Sequence, residues 1–195
     1  MQQKRSSGLI IGAIVIIIGI FFMITYNSLV KKEELVKLQW NEVQSSYQRR
    51  MDFIPNVVNV VKGQAGFEQT TLQMVTAARA NAGSVNVGNQ LNADNFNKQT
   101  AAQDGLAAAT NRLLITVEKY PELKGTQAFR GLQTQLEGTE RRIKVARKDF
   151  NVAIEDYNSS VRSFPTKIVA ALFGFESRDG FQSDAGANKS IEIKF

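Results

Sequence analysis

The chain opens with an uninterrupted apolar segment, which predicts a helix that crosses a membrane. Residues Leu9–Ile24, LIIGAIVIIIGIFFMI, contain no polar side chain. At about 1.5 Å per residue, a helix over residues 8–26 would be about 28 Å long, close to the roughly 30 Å hydrocarbon core of a bilayer. A cleaved signal peptide is the alternative, but the following TYNSLV offers no small-residue cleavage site. We therefore predict a transmembrane anchor over residues 9–26, after a short tail over residues 1–8.

After the anchor, apolar residues recur at steps of three and four, as on one face of a helix. The pattern predicts three long helices, over about residues 36–80, 94–120 and 129–164, with a Gly- and Asn-rich loop, NAGSVNVGNQLNA, after the first. None of these apolar faces can be buried except against the others. The predicted fold class is therefore all-α: an N-terminal transmembrane helix followed by a long antiparallel three- to four-helix bundle or coiled-coil rod over residues 27–175.

The end of this region, KIVAALFGF (Lys167–Phe175), is apolar nearly all round but too short to span a bilayer. Two interpretations stay open: a helix that caps the end of the bundle, and a segment that lies on lipid. Residues 176–195 are rich in turn-forming residues, so we predict an irregular C-terminal tail there.

The stretch YQRRMDFIPN (Tyr47–Asn56) interrupts the first long helical pattern with charges and a proline. Proline inside a helix removes a hydrogen bond and costs about 3 kcal/mol. The apolar positions nevertheless keep their phase across Pro55, which favours one kinked helix rather than two helices separated by a loop. We expect Arg49, Arg50 and Asp52 to be held by polar groups of a neighbouring helix or subunit.

Further polar residues lie beside or within the predicted apolar faces. Asn56 and Asn59 continue the spacing of Arg49 and Asp52, and Glu68 interrupts the apolar face of the first predicted helix. The third predicted helix carries a similar polar row: Glu140, Arg147, Asn151 and Asn158. We interpret these residues as a polar network that pairs across the bundle and fixes its register. The alternative is a groove that binds another protein.

Three glycines, Gly8, Gly12 and Gly19, fall near one face of the predicted anchor. Small residues at this spacing allow two membrane helices to approach closely, so these glycines are candidate packing positions for the anchor. The charges that flank the anchor are nearly balanced, with Lys4 and Arg5 before it and three lysines soon after it. A short basic tail before a first span favours a cytoplasmic N-terminus, with the domain outside the cytoplasm.

The composition argues against an enzyme. The chain has no histidine and no cysteine, which removes the commonest general bases and zinc ligands and the thiol nucleophiles. We expect no catalytic residues, no cofactor and no metal. The net charge of +6 is modest, and the basic run RRIKVARK (Arg141–Lys148) lacks interleaved aromatic residues and any nucleic-acid motif. A solvated helix face is therefore the better interpretation than nucleic-acid binding.

Several motifs together resemble the LemA family of bacterial membrane-anchored proteins. They are YQRRMDFIPNVV followed by VKG, Glu68, AAR at residues 77–79, VEKYPELK, FRGLQTQLEGTE, ARKDFNVAIEDYN, and FP and GF near the end. The resemblance implies a single-pass anchor, a bundle of long helices and a function that is poorly defined for the family. One branch is associated with magnetosome membranes. Some accounts of the family place the short N-terminus outside the cell, opposite to the charge pattern, so the orientation stays open.

From these observations we predict a non-enzymatic scaffold or adaptor, held in the bacterial inner membrane by a single span. It would associate with itself through its bundle, as a homo-oligomer, and bind an envelope protein partner but no nucleic acid. Two alternatives stay open: an accessory factor of envelope quality control that assists a membrane protease or transporter, and a protein that remodels lipid surfaces.

Overall fold

The computed structural model describes residues 2–63, 66–85 and 92–181, with side chains from residue 8 onward. This part of the chain is 87% helical and contains no strand, which confirms the predicted all-helical class. The six helices in it are α1 (Gln2–Lys62), α2 (Gln69–Ser84), α3 (Ala93–Val117), α4 (Pro121–Lys124), α5 (Gln127–Arg162) and α6 (Thr166–Phe173).

Helix α1 contains the apolar segment predicted as the anchor. Almost every large apolar side chain from Leu9 to Ile24 is exposed. By length and composition α1 could cross a membrane, and within residues 2–63, 66–85 and 92–181 it is the one helix of that kind. The helix continues without interruption through Pro55, as the phase of the apolar face predicts.

The predicted first helix, over residues 36–80, is wrong in one respect. Helix α1 ends at Lys62 and α2 begins at Gln69. The break contains Gly66, whose φ of +74° lies in the left-handed region that other residues rarely adopt. Glu68 is therefore not inside an apolar helix face: it is the exposed residue that precedes α2, with an extended backbone. The apolar spacing continues across the break, so periodicity alone conceals it.

The chain groups into two compact units, which we describe separately. The first unit comprises residues 1–42 and 149–178, and therefore includes the apolar segment of α1, the second half of α5, and α6. Its buried residues come from all three helices and include Trp40 and Phe150, whose ring centroids are 5.4 Å apart. The other buried apolar residues of this unit are Leu29, Val36, Ala153, Ile154, Tyr157, Val161, Val169 and Ala170.

The second unit comprises residues 43–148 and 179–195, of which the structure describes residues 43–63, 66–85, 92–148 and 179–181. Five helices contribute to its apolar core: Ile54, Val57 and Val61 of α1, Leu72, Val75 and Ala82 of α2, Ala102, Leu106, Leu113 and Val117 of α3, Leu123 of α4, and Phe129 of α5. The four-residue α4 begins with proline, which suits the first position of a helix because that position needs no N–H donor. It places Leu123 in the core. Of the predicted irregular tail, residues 182–195 lie outside the described part.

Two residues of α3 test how strongly the core of the second unit depends on packing. Leu113 is fully buried, whereas Ile115 is 70% exposed on the same helix. We expect Leu113→Ala to lower the free energy of unfolding by about 3 kcal/mol, because it removes buried methyl groups and leaves a cavity. Ile115→Ala should change it by less than about 0.5 kcal/mol. Urea unfolding of the full chain in mild detergent, followed by circular dichroism, measures both; equal losses would contradict this description of the core.

Candidate functional site

Helix α1 passes through Pro55 because another helix supplies the missing hydrogen-bond donor. In an α-helix, the N–H of residue 55 would donate to the carbonyl oxygen of Met51, but proline has no N–H. Arg79 of α2 takes its place: its Nε donates to the Met51 carbonyl oxygen at 2.7 Å. Both side chains are half-buried. One arginine therefore completes the hydrogen bonding of α1 and joins α2 to it.

Arg50, one residue before that carbonyl, is a buried cation with partners on two other helices. Its guanidinium donates to the backbone oxygen of Gln103 at 3.1 Å and to the side-chain oxygen of Gln103 at 3.2 Å, and it forms an ion pair with Glu140. The Arg50 side chain is only 4% exposed, while that of Glu140 is 44% exposed. The arrangement holds α1, α3 and α5 at one level, with the carboxylate at the edge of the core.

The other predicted polar residues of α1 lie on its exposed side. Arg49, Asp52 and Asn56 are exposed, and the Asp52 carboxylate accepts a hydrogen bond of 2.8 Å from Gln48 of the same helix. Of Arg49, Arg50 and Asp52, therefore, Arg50 contacts neighbouring helices and the other two face solvent. Glu68 is also exposed, in the connection between α1 and α2.

The polar row of α5 is half-buried along its length. Arg147 of the second unit lies over the ring of Phe181, with 4.7 Å from the guanidinium carbon to the ring centroid. Asn151 and Asn158 belong to the first unit. The Asn158 side chain forms two hydrogen bonds of 2.8 Å with the backbone N–H and carbonyl of Arg178. Arg147 and Asn158 therefore contact chain segments that follow α5, whereas Glu140 pairs with Arg50 of α1.

Several polar residues that contribute to these contacts are not among those predicted from the sequence. Gln99 and Gln103 are buried on α3, and the Gln99 amide donates to the Gln44 side-chain oxygen of α1 at 3.2 Å. The sequence nevertheless indicates that both glutamines lie on the buried face of α3. They belong to a series of residues separated alternately by three and four positions: Phe96, Gln99, Gln103, Leu106, Thr110, Leu113 and Val117. Polar residues at such core positions are typical devices for fixing register.

The first unit has its own ion pairs, between α1 and the second half of α5 or the segment after α6. Lys32 pairs with Asp156 at 2.7 Å, and Arg178 pairs with Glu33. The Arg178 guanidinium carbon also lies 5.9 Å from the centroid of the Tyr157 ring. Burial raises the pKa of the Tyr157 hydroxyl, as it raises that of Tyr47 in the second unit. Both phenols therefore stay protonated well above neutral pH and act as neutral packing groups.

A partly apolar surface lies on α1 just after the predicted anchor. Leu35 and Leu38 are 40% and 61% exposed, and they line a shallow depression together with Lys31, Glu34, Lys37 and Asn41. Lys37 donates to the Glu34 carboxylate at 2.7 Å, and this hydrogen bond raises the pKa of Lys37. The two leucines are thus flanked by internally paired charges. We call these six residues the α1 surface.

The three anchor glycines also leave open space on α1. A methyl group added at Gly8, Gly12 or Gly19 would meet no atom within 4 Å. The acidic side chains of the described chain form no group of three or more suited to a metal ion. The hydrogen bonds of Arg79, Arg50 and Gln99 join different helices, so their direct physical effect is to fix which helix faces meet.

Comparison with known proteins agrees with the resemblance seen in the motifs. The model of the LemA family matches residues 39–195. Magnetosome proteins MamQ 1 and MamQ 2 of Paramagnetospirillum magneticum are each 22% identical over 187 residues, covering 87% of this chain and 69% of the relative. Protein LemA of Metamycoplasma hominis is 23% identical over 159 residues, covering 80% of this chain and 69% of the relative.

A double-mutant cycle tests whether Arg79 compensates for Pro55. We expect Arg79→Met to lower the free energy of unfolding by about 1–2 kcal/mol, because the Met51 carbonyl loses its donor. In a Pro55→Ala background the new backbone N–H can donate to that carbonyl, so the same substitution should cost about 1 kcal/mol less. Denaturant unfolding of the four proteins measures this coupling. If Arg79→Met costs the same in both backgrounds, the hydrogen bond does not compensate for the proline.

The unequal burial of Arg50 and Glu140 predicts unequal effects of removing each partner. Glu140→Gln leaves a buried guanidinium without its counter-charge, so we expect a loss of about 2–3 kcal/mol. Arg50→Met leaves a half-exposed carboxylate that water can solvate, together with the Gln103 acceptors, so we expect about 1–2 kcal/mol.

Arg49→Met is the matched control for this pair, because Arg49 is the adjacent arginine and is exposed. Its effect on the free energy of unfolding should stay within about 0.5 kcal/mol. An equal loss for Arg49→Met and Arg50→Met, measured by denaturant unfolding, would show that the Arg50 contacts do not stabilise the protein.

Proposed function

Because the chain belongs to the LemA family, we propose that it is a non-enzymatic, membrane-anchored scaffold that associates with itself. The observation that carries this proposal is the continuity of α1. A segment with exposed apolar side chains leads, within one helix, to Val36 and Trp40, which are buried in the first unit. A helix of this kind transmits the position of a membrane span directly to the folded domain.

An uncleaved anchor explains this continuity better than a signal peptide does. Leu29 is buried in the first unit only a few residues after the apolar segment, and the Tyr26 ring contacts Phe173 and Phe175 with centroid distances of 4.9 and 5.7 Å. Cleavage after the apolar segment would separate the anchor from residues that are already part of the packed domain. The two MamQ relatives are named as magnetosome proteins, and the association of that branch of the family with magnetosome membranes fits an uncleaved anchor.

We propose that the helices after the anchor form an antiparallel bundle. In the first unit, Lys32 pairs with Asp156 and Trp40 with Phe150, so residue numbers rise along α1 while they fall along α5. In the second unit, Gln44 contacts Gln99 and Arg50 contacts Gln103, which supports α1 and α3 running in the same direction.

For self-association we propose the α1 surface. Two copies anchored in one bilayer present the same face of α1 at the same height, which favours a symmetric contact. At that height lie Leu35 and Leu38, apolar and exposed beside the paired charges of Glu34 and Lys37. The glycine face of the anchor allows the two spans to approach in the same plane. Membrane confinement raises the effective concentration of copies, so a modest apolar area suffices.

The basic tail before the span favours a single pass with the domain outside the cytoplasm. On that side of the membrane the exposed residues Arg49, Asp52 and Asn56 of α1 offer a polar surface to an envelope protein. Binding such a partner is the adaptor form of the same proposal. It requires the domain to be held near the membrane, as the scaffold does.

Disulfide trapping in intact membranes tests self-association, because the chain has no cysteine of its own. We expect Leu38→Cys to form a covalent dimer on mild oxidation, since two copies of the α1 surface would face each other. Glu155→Cys, an exposed position on α5 of the same unit, is the matched control and should remain largely monomeric. Non-reducing electrophoresis gives the fraction of dimer.

Two outcomes would contradict the proposal. If full-length protein in mild detergent sediments as a monomer and Leu38→Cys gives no more dimer than Glu155→Cys, the chain does not self-associate through the α1 surface. If chemical crosslinking instead gives products whose mass fits one copy of this chain plus a different protein, the adaptor form replaces the scaffold.

A further inference from the structure

Helix α6 has apolar residues on both its buried and its exposed sides. Val169 and Ala170 are buried in the first unit. On the other side, Ile168 is 55% exposed and Leu172 is 67% exposed, one helical turn apart. Phe164, immediately before the helix, is also exposed. One side of α6 therefore packs in the domain, as a helix that caps the bundle would. The other side is apolar and exposed, as on a helix that lies on lipid.

The contacts at the end of α6 place this helix beside the end of the apolar segment of α1. The Phe173 ring at its end lies against Tyr26, and Gly174, with φ of +75°, turns the chain so that the Phe175 ring also contacts Tyr26. The N–H of Phe175 donates to the Ala170 carbonyl at 2.9 Å and closes this turn. Tyr26 is the last residue of the predicted anchor, two residues after the apolar segment of α1. Helix α6 is thus fixed at the level where the anchor ends.

We propose that the exposed side of α6 inserts into the lipid of the leaflet from which the anchor emerges. The apolar surface formed by Ile168 and Leu172 then continues the lipid-facing surface of α1 across the Tyr26 contact. Aromatic residues concentrate at the boundary between hydrocarbon and headgroups, where Tyr26, Phe173 and Phe175 would lie. Lys167, exposed at the start of α6, would extend to the phosphate groups, as basic residues do on interfacial helices.

This arrangement gives the domain a second membrane contact beside its anchor. A single span leaves a domain free to tilt relative to the bilayer plane, whereas a second apolar contact to one side of the axis fixes the face that the domain turns to the membrane. The inference rests on the anchoring proposed above, so its test must separate the failure of the anchor from the failure of α6.

Nitroxide labels on single cysteines give that separation in the full-length protein. The variants are Leu172→Cys and Ile168→Cys on α6, Ile17→Cys in the anchor, and Glu155→Cys as an exposed control on α5 of the same unit. Each labelled protein is reconstituted into vesicles of phosphatidylcholine and phosphatidylglycerol. Oxygen concentrates in lipid and a nickel chelate stays in water, so the ratio of their collision rates with each label reports its depth.

We expect the oxygen-to-nickel ratio at residues 168 and 172 to be several-fold higher than at residue 155 and to lie below the ratio at residue 17, because an interfacial helix is shallower than the middle of the anchor. A ratio at residues 168 and 172 equal to that at residue 155, with a high ratio at residue 17, overturns the proposal for α6 and leaves the anchor intact. A low ratio at residue 17 overturns the anchor itself. Strong spin–spin broadening at residue 172 would show that a second copy of the chain, rather than lipid, covers α6.

Discussion

In the second unit, the carbonyl oxygen of Met51 joins α1 to α2 at the one proline inside α1. Pro55 removes the N–H that would bind this oxygen within α1, and a buried or half-buried carbonyl without a donor destabilises the fold. Arg79 donates to it at 2.7 Å, which lets α1 continue as a helix. As a result the apolar face keeps its phase on both sides of the proline, and Tyr47 and Ile54 are buried alike. The same hydrogen bond fixes where α2 lies along α1.

The polar contacts of the core fix the register between helices whose apolar packing alone would allow several registers. Leu, Val and Ala faces of long helices can slide by one turn with little change in buried area. A slip of α1 against α3 or α5 would leave the buried guanidinium of Arg50 without Gln103 or Glu140, and an unpaired buried charge is among the most costly defects in a core. The hydrogen bond between Gln99 and Gln44 favours the same register of α1 against α3.

The sequence predicts helices whose apolar residues recur at regular spacing. It does not predict features that depend on contacts between residues far apart in the chain. The anchor, the apolar faces of α1, α3 and α5, and the continuity of α1 through Pro55 all follow from spacing and phase. The break between α1 and α2 does not, because apolar spacing continues through residues whose backbone turns at Gly66. The spacing predicts that Arg50 and Glu140 belong to a polar network, but it does not predict that Arg50 also binds Gln103. Periodicity shows which side of a helix is buried and not which residues of a neighbouring helix that side contacts. The sequence does not predict which side of α6 is buried, because eight residues are too few to show a clear helical period of apolar residues.

The proposed lipid contact of α6 bears directly on the proposed self-association. Two anchored copies would meet through the α1 surface only when both turn Leu35 and Leu38 toward each other. A domain that tilts freely on its span would present that face to a neighbour for only part of the time, which lowers the apparent affinity by the fraction of competent orientations. Insertion of α6 beside the anchor would restrict this tilting before two copies meet. Under the two proposals, α6 would first orient each copy against lipid, and the α1 surface would then join copies that are already oriented.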